Sequence, residues 1–471
     1  MEHQRLIQTP MFFSRLSPYF IAKVVVLLTL LLNTAAYTIP WVFANSLSKE
    51  YSGIDFHGYW YAGHYLRQGV NPYAAILNSP DPVYWDPLVP DSGNPYKPTA
   101  PEYALTLPVT YLDGVTVTQP PVAQTMIVVP AMTAPLNLLI GLFSWFSWQT
   151  ARWLWLALNL IFTAVIPWLA LRLVNNRHKL DTLDKWIFAL VFYNFYGVRQ
   201  GLVVGQQTMI CLFLLVLALL FHDKWLLSGI LLGFGISKYS VGLPAFLYFL
   251  RQRNYRSVLV AVIVQVVGIL LLVPLKWGSP MDTLSAYLQV FSVNFIQEGV
   301  HLSARFADVR LQGFSFGVIL VVIVYFMSRQ QVPGKTTGLS ENAARLNDLN
   351  ILTLGIFLTT YHRVHDMPFM IFFLLACLVV WIENRDLAIG RFPSIVLALT
   401  MTAILSLLLF PTVPGKVIAR LEVLSFIPPA WTSLEAFSSI AMLLMLALSA
   451  WLYRAPWQGS EFAENVQQGM E

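Results

Sequence analysis

The sequence predicts an all-α polytopic membrane protein, and three observations predict it. The 471 residues are 57% hydrophobic and only 11% charged, with a mean hydropathy of +0.62. Soluble domains carry roughly 25% charged residues. Repeated apolar runs approach or reach the length of about 20 residues that a helix needs to cross a hydrocarbon core. The loops rich in Lys and Arg fall on one side when sides are counted alternately, which is the bias of cytoplasmic loops. That bias also accounts for the net charge of +5 and the pI near 9.0, so no nucleic-acid partner is read from them. Cys211 and Cys377 lie inside apolar runs and read as packing residues, not as a disulfide framework.

The first span is expected at 24–44, "VVVLLTLLLNTAAYTIPWVFA". It exceeds a signal-peptide core of about 7 to 15 residues and reads as a retained helix. Arg5, Arg15 and Lys23 precede it, which puts the N-terminus in the cytoplasm. Residues 45–149 then read as one long extracytoplasmic loop, too long for an ordinary connection. Its many Tyr and Trp argue against disorder. Inside it the spacing predicts a helix over 56–68 with Tyr59, Ala62 and Leu66 on one face, stopped by Gly69 with Pro72 beyond. The run 126–148 is apolar but interrupted by Pro130 and Pro135, and reads as interfacial or re-entrant.

Further spans are expected at 150–173, 185–199, 205–221, 225–237, 240–250, 257–275, 313–327, 347–361, 367–383, 392–410 and 434–453, about twelve with the first. Those at 225–237 and 240–250 are too short to cross alone. They are expected as a bent pair covered by neighbours, since irregular backbone at membrane depth needs protein or water around it. Residues 1–453 thus form a single integral-membrane domain of the plasma (inner) membrane, and 454–471 a cytoplasmic tail.

The unusual polar residues converge on the extracytoplasmic face. Asp55 opens "DFHGYWYAGHYLRQGVNPY" directly after the first span. It reads either as a helix N-cap, a preferred position for Asp, or as a general base at the membrane surface. Lys238 breaks two apolar runs in "GISKYSVGLP", where a charge is costly, and this favours function. Arg199 and Arg363 are read as either phosphate-binding cations or side chains snorkelling to the interface. His362 and His365 share a helix face in "YHRVHD", but the Glu and the four-residue His spacing of a zinc protease are lacking. No metal and no cofactor are expected. The aromatics Trp60, Tyr61, Tyr84 and Trp85 read first as an interfacial belt and only second as a sugar platform.

These motifs carry a resemblance. "DFHGYWYAGHYLRQGVNPY", with an Asp, a Tyr four residues on and a later Gly and "PY", resembles the start of the glycosyltransferase 87 family. "VVGQQTMICLFLLVLALL" is similar to that family's Gly-Gln turn, "SGILLGFGISKYSVGLPAFLYFL" to its Gly-rich helix followed by Lys and Pro, and "YHRVHDMPFMIFFLL" to its His-and-Asp motif. The resemblance runs in order from about 24 to 383. The chain departs from it in Gln207, where Asn is more usual, and in a long insert at 75–120. The resemblance implies a GT-C-like bundle that takes a sugar, most familiarly mannose, from a polyprenyl-phosphate donor. The acceptor is a glycan or glycolipid met outside the cytoplasm. It makes Asp55 the base, and Tyr59, Arg199, Gln206, Lys238, His362, Arg363, His365 and Asp366 the substrate-binding residues. A transporter or flippase of lipid-linked sugars is the alternative; paired halves with interrupted helices, which transporters often show, are not found here.

Overall fold

The computed structural model describes residues 18–47, 53–73, 108–110, 116–118, 133–174, 180–276, 278–285, 341–359, 364–384, 442 and 444–449. The spans expected at 313–327 and 392–410, most of 434–453, and His362 and Arg363 lie outside these residues, as do the side chain of Tyr61 and all of Tyr84 and Trp85.

The first span runs Phe20–Ser46, longer at both ends than the run 24–44. It consists of α1 (Pro18–Asn33), a π-helical turn (Thr34–Thr38) and α2 (Ile39–Leu47). The turn has a cause in the sequence. Pro40 has no N–H, and its ring would crowd the carbonyl four residues back. The backbone widens just before it, and Ile39 N–H reaches Thr34 O instead.

Beyond the span, Gly53 takes φ +75° and α3 (Ile54–Arg67) begins. Two short strands, β1 (Pro108–Thr110) and β2 (Thr116–Thr118), pair antiparallel. The described residues are otherwise helical, as expected, and the β-branched Val109, Thr110, Thr116, Val117 and Thr118 favour the pleated form locally. The run expected to be interfacial gives α4 (Ala134–Gly141) and a 3₁₀ turn to Trp145, too short to span. Gly63 and Gly141 let α3 and α4 meet closely: a Cβ at Gly63 would lie 2.3 Å from Gly141 O.

The second long span is α5 (Trp148–Ala170), continued to Leu173 by a 3₁₀ turn. The span expected at 185–199 is in fact two helices, α6 (Thr182–Tyr193) and α7 (Tyr196–Val204), bent by 52°. Asn194 occupies the bend. Its Nδ2 donates to Leu190 O (2.8 Å) and to Thr34 Oγ1 (2.8 Å), and its Oδ1 accepts from Thr38 Oγ1 (2.9 Å). The bend is therefore keyed to the π turn of the first span.

Four helices follow: α8 (Thr208–Leu220), α9 (Trp225–Gly235), α10 (Tyr239–Arg251) and α11 (Tyr255–Leu270). The expected break between two short apolar helices is present, at Ile236–Lys238. Glycines at 229 and 233 seat α9 on α11, where added Cβ atoms would lie 2.5 and 2.6 Å from Val260 and Val264. The final described elements are α12 (Glu341–Thr359), a 3₁₀ helix (Val364–Met370) and α13 (Ile371–Asn384). Among the described residues, two helices are long and apolar enough to cross a membrane, or three with the bent pair as one span. Outward-facing Val25, Leu28 and Leu32 on the first span and Ile161 and Val165 on α5 are exposed, as lipid-facing residues are in a helical membrane protein.

Candidate active site

Building the site starts with how α3 begins. Gly53 is its N-cap, and Asp55 lies one residue inside the helix. The reading of Asp55 as the cap is therefore corrected. A left-handed backbone is open to glycine at little cost, and Gly53 N–H is tied to Val203 O at 2.7 Å. Gly205, at φ +74°, faces it: a Cβ there would stand 2.7 Å from Phe56 Cβ and 3.3 Å from Gly53 Cα. These two glycines bring the first loop against the turn between α7 and α8. Underneath, Phe56 stacks on Trp155 with ring centroids 4.9 Å apart, and Trp155 Nε1 donates to Gly205 O at 2.8 Å. Burying a side chain of this size contributes about 1.5–3 kcal/mol. Phe56 and Trp60 thus anchor α3, and Trp60, only 1% exposed, is no sugar platform.

With α3 seated this way, a chain of polar contacts runs from Asp55 inwards. Gln206 Nε2 donates to Asp55 Oδ2 at 2.6 Å. Lys238 Nζ donates to Gln206 Oε1 and to Thr208 Oγ1, each at 3.0 Å, and pairs with Asp366 Oδ1. Thr208 Oγ1 donates to the same Asp366 oxygen at 2.8 Å. Four separate segments meet here: α3, the start of α8, the α9–α10 break, and the 3₁₀ helix at 364–370. Asp55 is half-buried, while Gln206, Thr208, Lys238 and Asp366 are buried.

Chemically, the outer end of this chain is a carboxylate and the inner end a neutralised ion pair. Tyr59, one turn along α3, is buried beside Asp55. Burial first, and then the Asp55 charge, hold its hydroxyl well above the ordinary value, so Tyr59 is a donor and no base. Lys238 was expected to bind substrate. Its ammonium has three hydrogens, and Gln206, Thr208 and Asp366 take them. Its place is inside the site's framework.

Arg199 lies on α7. Its guanidinium lies 4.7, 5.6 and 5.9 Å from the ring centroids of Tyr37, Tyr196 and Trp41, so aromatic faces surround it. Gly201, two residues on and so about 200° around α7, faces His365: a Cβ there would lie 3.7 Å from His365 Cβ. Thr208 was missed from the sequence. Among the described residues, no group of three or more His, Cys, Asp and Glu side chains is arranged to hold a metal ion.

Residues 134–411 match the family model described as "Glycosyltransferase family 87". No curated protein matches the chain, and no solved structure does.

Proposed function

We propose, for a chain that belongs to glycosyltransferase family 87, that it moves a hexosyl residue, mannosyl first among the candidates, from a polyprenyl-phosphate donor. The acceptor is a hydroxyl of a glycan or glycolipid on the extracytoplasmic face. Family membership supports an enzyme over a transporter. One observation carries the finer reading: a carboxylate sits in the first turn of the helix that directly follows the first membrane-length span, held by the amide of Gln206 at 2.6 Å. A lipid-linked donor arrives from the bilayer and a polar acceptor from water, and Asp55 stands at that junction.

In the proposed step the acceptor oxygen forms a bond to the anomeric carbon, and its proton passes to Asp55. The bond from the anomeric carbon to the phosphate oxygen breaks, and its electron pair leaves with the polyprenyl phosphate. Cations or hydrogen-bond donors at the departing oxygens stabilise that charge. With Lys238 engaged by Asp366, the segment of His362, Arg363 and His365 is the group assigned to the phosphate.

The test is Asp55→Asn. Asn keeps the size and a favourable place in a first helical turn, but accepts no proton. Membranes carrying it are expected to hold near-normal amounts of folded protein. Transfer from labelled polyprenyl-phosphate mannose is expected to fall roughly 10²-fold or more, the low end for a lost general base. An Asp55→Asn protein that transfers at the wild-type rate removes Asp55 from the mechanism.

A further inference from the structure

We infer that Gln206 is the positioning residue of this site: its amide, oriented by the Lys238–Asp366 pair, holds the Asp55 carboxylate in the aimed, proton-accepting form. The inference rests on the reading of Asp55 as the base.

The argument is one of donors and acceptors. A lysine ammonium only donates, and an amide oxygen only accepts. Lys238 Nζ at 3.0 Å therefore fixes which end of the Gln206 amide faces inwards: the oxygen. The NH₂ must then face outwards, where it meets Asp55 Oδ2 at 2.6 Å. An NH₂ only donates, so that oxygen of Asp55 must accept. A flipped amide would set NH₂ against ammonium and oxygen against carboxylate, both repulsive.

Lys238 is itself pinned. Asp366 Oδ1 pairs with it, and Thr208 accepts from Lys238 while donating to Asp366. The backbone of Gln206 is fixed as well, its N–H bound to Gly201 O at 2.9 Å just after left-handed Gly205. A bond to an ionised acceptor is among the stronger ones, and a hydrogen bond to the charged form favours that form.

Tyr59, on the same helix as Asp55, is surrounded by Asp55 itself, by Gln207 and Cys211 from the start of α8 and by Asp366 from the 3₁₀ helix. Arg152 of α5 borders Gly53, its Cγ 3.2 Å from where a Cβ at 53 would be. Thr208 and Lys238 stand behind Gln206. A hydrogen bond joins Gln206 directly to Asp55.

The experiment is the pH profile of kcat/KM with polyprenyl-phosphate mannose for wild type, Gln206→Met and Gln206→Glu. Each profile is normalised to its own high-pH plateau, so the yield of folded protein drops out. Met keeps length and volume without the donor. The acid limb is expected to move up by about one pH unit, the low end for losing a favourable partner of a carboxylate, with activity recovered at high pH. Glu keeps an acceptor for Lys238 but sets a second carboxylate against Asp55, so its limb is expected to move further up. Acid limbs that coincide with the wild-type limb in both variants make Gln206 merely structural and overturn the inference. The Asp55→Asn enzyme separates the two ideas. If it is inactive while the limbs stay unmoved, only the role of Gln206 falls. If it is active and the limbs stay unmoved, both fall.

Discussion

Lys23 and Lys238 are both buried lysines, 8% and 7% exposed, and each meets aspartate. Lys23 touches two carboxylates directly, Asp181 Oδ2 and Asp184 Oδ1, each at 2.6 Å. Those two aspartates also form the capping box of α6, with Asp184 N–H on Asp181 Oδ1 at 2.7 Å. That cluster is local: it starts one helix and docks α1 on it. Lys238 touches one carboxylate directly, and its second, Asp55, is reached only through the amide of Gln206. Residue types that stabilise a helix start in one place make, in the other, a chain that ends on a half-buried acid. The difference lies in the spacer. A carboxylate held one amide away from a cation keeps its partner's orientation without being neutralised by direct contact.

The two clusters also lie far apart. Lys23 and Ser46, at the two ends of the first span, are separated by roughly 35 Å at about 1.5 Å per residue, close to a bilayer's thickness. This makes an all-or-none test. A cysteine introduced at Ser92, which lies outside the described residues in the long loop after α3, should react with a membrane-impermeant thiol reagent on intact cells. Reaction only after permeabilisation would put Asp55 on the cytoplasmic side and dissolve the contrast between the two ends.

The next test compares the lysines directly. Lys238→Met leaves Asp366 buried without its cation, and breaking a buried pair in this way costs about 3–5 kcal/mol. It also frees the amide of Gln206. A large drop in thermal stability and in kcat together is expected. Lys23→Met should lower stability less, because the Asp181 side chain is 54% exposed and water replaces part of the lost interaction, while buried Asp184 keeps the Asp181 N–H at 3.3 Å. Its kcat per folded molecule should stay at the wild-type value. Equal effects of the two substitutions on kcat would make both clusters scaffolding.

The smallest expected effect is on acid stability. Burial disfavours the Asp181 charge, but hydrogen bonds from Lys23 and from the Asp184 backbone outweigh it and hold its carboxyl below the ordinary value. A group lowered on folding stabilises the native state above its unfolded value of about 3.9 and loses that contribution as pH falls through its folded value. The melting temperature should therefore decline below about pH 4, and by less in Lys23→Met. The same slope in both proteins would show that the Lys23 bond does not hold the charge on Asp181.

Much of the polar chain was legible in the sequence, because a polar residue at the edge of an apolar run is expensive and so stands out. Lys238 stood out by that signal and Asp55 by its place just after the first span, while Tyr59, Gln206 and Asp366 came from the family motifs around them. Thr208 was missed: a threonine opening an apolar helix is ordinary, and only the fold shows that it bridges Lys238 and Asp366. Arg199 was legible as a costly cation, but its partners were not, since a guanidinium in an apolar run looks the same whether it meets phosphate or the rings of Tyr37, Tyr196 and Trp41. The bend at Asn194 was not read from the sequence, because a single Asn inside an otherwise apolar run does not mark a break. The cap alternative for Asp55 fell for a related reason. Asp is the better-known cap, and the preceding Gly53 gains that position only through its left-handed turn against Val203.

The polar chain also has an order of manufacture. Gln206 follows Asp55 by 151 residues, Lys238 comes 32 later, and Asp366 a further 128. At ribosomal speeds of about 5–20 residues per second, the lysine precedes its acid by roughly 6 to 26 s. Through that interval the nascent chain carries an unneutralised ammonium between two short helices, α9 and α10, and the amide of Gln206 has no fixed sense. Biogenesis thus imposes a sequence of events: the first loop is seated early by its glycines and aromatics, and the relay beneath it is completed only when the 3₁₀ helix at 364–370 arrives. A partly synthesised copy has Asp55 in place before the residues that complete its chain of contacts.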